Sequence, residues 1–135
     1  MDNWFLEKLA ALPGLITGLA REKRELGDNA LRAVSHALNE TFIYYRNIEL
    51  GKDRDFEIEA QLAKYWSAAA IPMRHVDSEF AEICEYKSQY WIQPERWSKQ
   101  KIKEFRIGLH DVQEHYRRLL RKQSFVNKIN KNTLP

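Results

Sequence analysis

Apolar residues recur at alternating steps of three and four along most of this 135-residue chain. That period places them on one face of an α-helix, and no stretch shows the strict alternation of a half-buried strand. Only five glycines and four prolines are present, which is few for a fold built on many tight turns. The clearest apolar run consists of Leu31, Val34, Leu38, Thr41, Tyr45 and Ile48. The sequence therefore predicts an all-α protein.

Two helices are predicted in the first 51 residues. The first begins at an N-cap, Asp2 or Asn3, and is expected to kink at Pro13, because proline removes a backbone hydrogen bond. Gly27 is the expected terminator of this helix, and the second helix starts directly after it. Gly51 is predicted to end the second helix.

Polar caps and prolines divide the rest of the chain. Asp53 is predicted to cap a third helix that kinks or breaks near Pro72, and Asp77 to cap a fourth that ends near Pro94. Ser98 is expected to cap the last helix. That helix is predicted to carry one unbroken apolar seam, formed by Ile102, Phe105, Leu109, Val112, Tyr116 and Leu119.

Short connections between long helices favour antiparallel neighbours. We therefore expect a single-domain up-and-down bundle of four to five helices, kinked near Pro13 and Pro72, over residues 1–122. The apolar pattern fades after Lys122, so residues 123–135 are predicted to form a polar C-terminal tail. A chain of this length suits one domain with one core.

The composition also gives an expectation about location. Cys84 is the only cysteine, so no internal disulfide can form and nothing indicates an oxidising compartment. No basic stretch of the kind that opens a signal peptide precedes the first apolar run. That run, 4–20, is interrupted by charges and by Pro13 and Gly14, and is too broken to cross a membrane. We expect a cytoplasmic protein of bacterial type.

The segment 60–97 is rich in aromatic side chains and contains three of the four tryptophans. A helical bundle of this size buries one stripe per helix, so surplus apolar side chains are expected to form an interface. The residues assigned to partner binding are Trp4, Trp66, Trp91 and Trp97. The leading hypothesis is a non-enzymatic helical protein–protein interaction module. It would self-associate as a homodimer or bind a helical partner protein.

Basic residues are concentrated toward the C-terminus. From Ser98 onward there are ten lysines and arginines and three acids, so this part carries +7 and the remainder −4. Such asymmetry is typical of proteins that bind nucleic acid or an acidic partner, although the same side chains could simply solvate an outer helix face. The alternative hypothesis is therefore RNA or DNA binding by the last helix. Its phosphate contacts would come from Arg117, Arg118, Arg121 and Lys122.

Two histidine pairs are spaced for a metal site. His36 and Glu40, like Asp111 and His115, are four residues apart, which places each pair on one helix face. Neither pair matches the Glu-x-x-His pattern of di-metal bundles, and both histidines are expected to flank the apolar seams. We therefore predict no metal site and no cofactor.

Two Arg-x-x-x-His pairs, Arg32 with His36 and Arg106 with His110, raise a catalytic alternative. Small helical ribonucleases and toxins of the HEPN class use an arginine and a histidine on one helix, but both pairs here have one residue too few between them. Such an arginine could stabilise a phosphoryl transition state while the histidine acts as acid or base. Walker, Rossmann, nucleophile-elbow and Cys-x-x-Cys motifs are absent, so no catalytic residue is assigned.

Other polar residues within apolar segments are interpreted as structural contacts. Asp77 is expected to cap its helix and to pair with Arg74 or His75. Thr41 falls on the apolar face of its helix, where its hydroxyl can donate to the carbonyl four residues earlier. Glu40, if buried, would need a lysine from a neighbouring helix.

Overall fold

The computed structural model describes residues 13–133, with side chains from 18 to 124. Helices account for nearly all of this range, and no strand occurs within it. The prediction of an all-α bundle is confirmed. The helices are α1 (Pro13–Glu49), α2 (Phe56–Met73), α3 (Ser78–Ile92), the six-residue α4 (Lys99–Glu104) and α5 (Leu109–Thr133), with a 3₁₀ turn at Pro94–Arg96.

The long helices form an antiparallel bundle in which α1 lies against both α2 and α5. Helix α2 packs along α1, where Trp66 Nε1 donates to Thr41 Oγ1 at 3.1 Å, and α3 packs along α2. Helix α5 returns beside α1, with Gln123 against Gly27. The core lies between α1, α2 and α3, and is closed by Val112 and Leu119 of α5. Among the described residues no helix combines the length and apolar character needed to span a bilayer.

Helix α1 is continuous through Gly27, which corrects the predicted boundary between a first and a second helix. It runs for 37 residues, about 55 Å at 1.5 Å per residue. A Cβ on Gly27 would lie 2.8 Å from the Gln123 side-chain nitrogen, so the glycine admits α5 rather than ending α1. Pro13 is the first described residue of α1, and the kink predicted there falls at the edge of the described residues.

The connections around α2 follow the predicted pattern with one shift. Asp55, not Asp53, caps α2, because its side chain accepts the backbone N–H groups of residues 57 and 58. Helix α2 ends at Met73, one residue beyond Pro72, so the chain breaks where the sequence predicted. Asp77 caps α3 by accepting the Phe80 N–H at 2.9 Å, as expected.

The seam predicted from Ile102 to Leu119 is not continuous. Ser98 caps a helix, as predicted, but that helix ends at Glu104, and Arg106 adopts a left-handed φ of 56°. The break turns Ile107 into the core, where it is fully buried, and leaves Phe105 36% exposed. The expectation that Phe105 points inward is therefore wrong, because a tertiary contact at residue 107 replaces the helical register.

Lys87 of α3 stabilises this break between α4 and α5 through a hydrogen bond to its backbone. The side chain is 3% exposed, and its Nζ donates to the Ile107 carbonyl at 2.8 Å. Burial lowers the pKa of Lys87 to about 8. The lysine thus satisfies a carbonyl that the interrupted helix leaves without a partner in its own chain segment.

Thr41 sits at the centre of the α1–α2 contact, and its predicted contact is confirmed. Its hydroxyl donates to the Ala37 carbonyl at 2.7 Å and accepts the Trp66 indole N–H at 3.1 Å. Both side chains are fully buried. Helix α5 continues to Thr133, within the range predicted as a polar tail, and the domain boundary at residue 122 stays a prediction.

Candidate functional site

A buried polar cluster joins the end of α1 to the start of α2. Glu59 is 3% exposed and accepts hydrogen bonds from Arg54, from Nε at 2.7 Å and from Nη2 at 2.9 Å. The Tyr44 hydroxyl donates to the same carboxylate and accepts the Asp55 N–H at 3.0 Å. A buried carboxylate is tolerated only with partners of this kind. The cluster therefore fixes the α1–α2 connection.

The electrostatics of this cluster suit positioning rather than proton transfer. Burial, reinforced by the hydrogen bond to Glu59, raises the pKa of Tyr44 above its ordinary value of 10.0. The hydrogen bond to Glu59 likewise raises the pKa of Arg54. Neither group exchanges a proton near neutral pH, which general acid–base catalysis would require.

An open groove of about 570 Å³ lies beside the cluster, between α2 and α3. Ala60 and Ala63 leave space along α2, and Trp91 forms part of the opposite wall. Phe56 and Ile92 lie on its two sides and are 71% and 65% exposed. We refer to this feature as the α2–α3 groove. Its charged lining residues are Arg54, Glu59, Lys64 and Glu95.

The structure separates the four tryptophans that the sequence assigned to partner binding. Trp66 is fully buried in the core, so a partner cannot reach it in this conformation, and that assignment is corrected. Trp91 is 4% exposed and is available only as a wall of the α2–α3 groove. Trp97 is half-buried, and Trp4 lies outside the described residues.

Trp97 belongs to an aromatic cluster on α3 and α4. Its ring packs against Tyr86, Tyr90 and Phe105, with centroid separations of 6.5, 6.4 and 5.6 Å. The ammonium of Lys101 lies 4.2 Å from the Trp97 ring centroid. These contacts attach the short helix α4 to α3, so packing accounts for Trp97 in the described structure.

The histidines are not brought together. His115 is buried rather than flanking a seam, and its partner is Asp77 of α3, with Nε2 and Oδ2 separated by 3.4 Å, instead of Asp111. This corrects the expectation that Arg74 or His75 pairs with Asp77. His36 packs edge-on against a tyrosine of α2. Within the described part of the chain no group of three potential ligands could hold a metal ion.

The structure separates one of the two Arg-x-x-x-His pairs, whereas Arg32 and His36 both lie on α1. Arg106 lies in the break before α5 and pairs with Glu79, so it does not share a helix with His110. Arg32 donates to Asn29 at 3.4 Å and lies on an exposed part of α1. The shared helix face that the catalytic alternative requires is therefore absent for Arg106 and His110.

The basic residues assigned to nucleic acid lie on the outer surface of α5. Arg117, Arg118, Arg121 and Lys122 are all exposed. Arg117 Nη1 is 3.8 Å from Glu114 Oε1, a solvent-exposed pair that contributes little stability. The arrangement leaves these cations accessible to an anionic surface.

Sequence reasoning missed the residues that shape the α2–α3 groove. Glu59 falls on the apolar face of α2, three residues before Leu62 and seven before Trp66, and that spacing was a signal of its burial. Phe56 is the first residue of α2, three before Glu59, and Ile92 is the last residue of α3, four after Ser88, so the helical period alone would place both on the buried faces. Their exposure at the helix ends is therefore a property that the helical period does not predict. No family model, curated protein or solved structure matches this chain.

Proposed function

We propose that this protein is a helical protein–protein interaction module that self-associates as a two-fold dimer through the α2–α3 groove. The observation that carries the proposal is the exposure of Phe56 and Ile92, at 71% and 65%, on the two sides of one concave surface. Large apolar side chains exposed together around a groove are typical of interfaces.

The chemistry of the groove fits a second copy of the chain. A two-fold contact uses the same patch on both subunits, so the patch must complement itself. Phe56 supplies a large side chain, whereas Ala60 and Ala63 leave the room that such a side chain needs. Lys64 of α2 and Glu95 of the 3₁₀ turn line the groove with opposite charges, so each can face its counterpart in the second copy.

The expected affinity is modest. Full burial of a large apolar side chain contributes about 1.5–3 kcal/mol, so Phe56 and Ile92 from both copies contribute roughly 6–12 kcal/mol. The loss of translational and rotational freedom opposes association by at least about 4 kcal/mol. The difference is at most about 2–8 kcal/mol, which corresponds to a dissociation constant no tighter than about 1 µM.

Sedimentation velocity from about 1 µM, the tightest affinity expected, to about 1 mM tests the proposal. We expect the wild-type protein to dimerise, and Phe56→Glu or Ile92→Glu to remain monomeric with an unchanged circular dichroism spectrum. Ile43→Glu is the matched control, because Ile43 is 54% exposed on α1 and does not line the groove. A wild-type monomer at the highest concentration, or a dimer that survives Phe56→Glu, would overturn the proposal.

Nucleic-acid binding is the second candidate. The exposure of Arg118, Arg121 and Lys122 on one helix favours it, because accessible cations at helical spacing can follow a phosphate backbone. The aromatics do not favour it, since Trp97 and Phe105 pack against each other and do not form an open stacking platform. We expect weak, sequence-independent binding that falls steeply with salt.

A further inference from the structure

A second cavity, of about 420 Å³, lies where three parts of the fold meet. Helix α1 forms one side, the turn between α2 and α3 forms the second, and α5 forms the third. Val76, Leu119 and Gly27 give it a largely apolar floor. Charges above such a floor interact more strongly than charges in open water, because less solvent surrounds them.

The polar groups around this cavity are basic or neutral. Lys23 and Arg24 of α1, His75 of the turn and Lys122 of α5 line it, and no carboxylate does. None of these four side chains forms an ion pair with another side chain in the part of the chain that the structure describes. Three lysine and arginine side chains from α1 and α5 thus converge beside the His75 imidazole, and none has an ion-pair partner among the described residues. We refer to this feature as the cationic cavity.

Arg24, which lines the cavity, has one buried guanidinium nitrogen without a hydrogen-bond partner in the described part of the chain. Its Nε is buried, and no acceptor for it exists among the described residues. Buried donors in folded proteins almost always have an acceptor, so each exception requires an explanation. Arg24 is only partly buried and lines the cavity, so an anionic oxygen bound there would lie beside its guanidinium and would reach Nε after a change of side-chain conformation.

Gln123 adds a neutral donor to the same wall. Its side-chain nitrogen lies 2.8 Å from the position that a Cβ on residue 27 would occupy. The absence of a side chain at Gly27 is therefore what admits the Gln123 amide between α1 and α5. An amide donor next to arginine and lysine is a common arrangement around bound oxyanions.

The neighbouring carboxylates are directed elsewhere. Asp77 follows the turn, but it accepts the Phe80 N–H and faces His115, so it does not neutralise the cavity. Glu22 and Glu25 flank the basic pair on α1, but both are exposed and neither lines the cavity.

We propose that the cationic cavity binds a phosphate group, held by Arg24, Lys122 and Gln123. Its volume is enough for a phosphate carrying a small organic substituent, because ligand pockets begin at about 300 Å³. The phosphate can come from a small phosphorylated molecule or from the backbone of a nucleic acid, since Lys122 also belongs to the basic surface of α5. This site is separate from the α2–α3 groove and does not depend on dimerisation.

Calorimetric titration of the full chain tests the proposal with two probes, inorganic phosphate and a short oligothymidylate, at about 0.15 M salt, where long-range attraction is screened. We expect one saturable site. Arg24→Gln should weaken binding at least tenfold, and Lys122→Gln severalfold. Arg21→Gln is the matched control, because Arg21 is exposed on the same helix as Arg24 and does not line the cavity, and it should leave binding unchanged.

The two probes distinguish the source of the phosphate. Binding of inorganic phosphate alone indicates a small ligand, whereas much tighter binding of the oligonucleotide that Arg24→Gln still weakens indicates a strand. Either result supports the site. No saturable binding of either probe, or equal losses in Lys122→Gln and Arg21→Gln, would overturn it. Lys122 is exposed, so its variant keeps the test valid even if Arg24→Gln does not fold.

Discussion

Lys87 allows the packing of α3 against the α4–α5 break to be tested by pH. Its ammonium lies in the core and donates to a neutral acceptor, the Ile107 carbonyl, at 2.8 Å. The charged form is therefore desolvated without a counter-ion at hydrogen-bond distance in the described structure. Raising the pH removes that charge while the lysine can still donate a hydrogen bond.

The direction in which pH changes the free energy of unfolding follows from comparing the pKa of Lys87 in the folded and the unfolded chain. Burial lowers the pKa of Lys87 from 10.5 to about 8. Below pH 8 the lysine is charged in both the folded and the unfolded chain, so the folded state bears the full cost of the buried charge. Between pH 8 and 10.5 the folded chain loses this proton first. The unfolded chain then binds more protons, and the free energy of unfolding rises with pH.

The magnitude follows from the same two pKa values. Their difference corresponds to about 3 kcal/mol in total, of which about 1–1.5 kcal/mol is recovered between pH 7 and pH 9. Lys87→Met keeps much of the side-chain volume and removes the charge. It also leaves the Ile107 carbonyl without its donor, which costs about 1–3 kcal/mol at every pH.

Urea unfolding of wild type and Lys87→Met, followed by circular dichroism at pH 7, 8 and 9, measures how the free energy of unfolding of each protein changes with pH. We expect the stability of wild type relative to Lys87→Met to increase by about 1 kcal/mol over this range. The difference between the two proteins is the informative quantity, because other groups titrate as well. Burial raises the pKa of Cys84 to about 12, so the unfolded thiol ionises first, and this group lowers stability above about pH 9 by the same amount in both proteins.

Lys103→Met is the control for this experiment. Lys103 is exposed on α4, so its removal should leave the pH dependence of wild type unchanged. Parallel curves for wild type and Lys87→Met would refute the reasoning, because they would mean that the native structure does not desolvate this ammonium.

Two further substitutions test contacts between helices. Thr41→Val should lower the free energy of unfolding by about 1–3 kcal/mol, because the buried Trp66 N–H loses its acceptor, and a loss below about 0.5 kcal/mol would contradict that role. Gly27→Ala should raise the melting temperature, since alanine favours a helix interior by about 0.8–1 kcal/mol and only the flexible end of Gln123 must move. A lower melting temperature for Gly27→Ala would show that the Gln123 amide is held rigidly.

Local chemistry predicted much of this fold. The caps at Asp77 and Ser98 and the break near Pro72 follow from hydrogen bonds within a few residues of each position. The Thr41 hydroxyl bond is also local, because its acceptor is one helical turn away. Such features depend on neighbours in sequence, and the residues at those positions therefore determine them.

The errors occur where a distant contact decides the backbone. Gly27 reads as a terminator because glycine commonly ends helices, but here a residue 96 positions later, Gln123, occupies the space it leaves. The spacing of Phe105 fits a continuous helix, yet the chain breaks there so that Ile107 can fill the core. Helical periodicity alone predicts neither the contact of Gln123 with Gly27 nor the burial of Ile107 in the core.

Lys87 and Glu59 show how far pattern reasoning extends to charged groups. Lys87 follows Ile83 by four residues and precedes Trp91 by four, so its spacing alone places it on the buried face of α3. The partner is what the spacing cannot supply. The Ile107 carbonyl is available only because the chain leaves the helix before α5, just as Glu59 is tolerated only because Arg54 reaches back to it from the connection before α2. A buried charge predicted from a helical period thus implies an irregular segment elsewhere in the fold, since a helix interior has no free backbone group to offer.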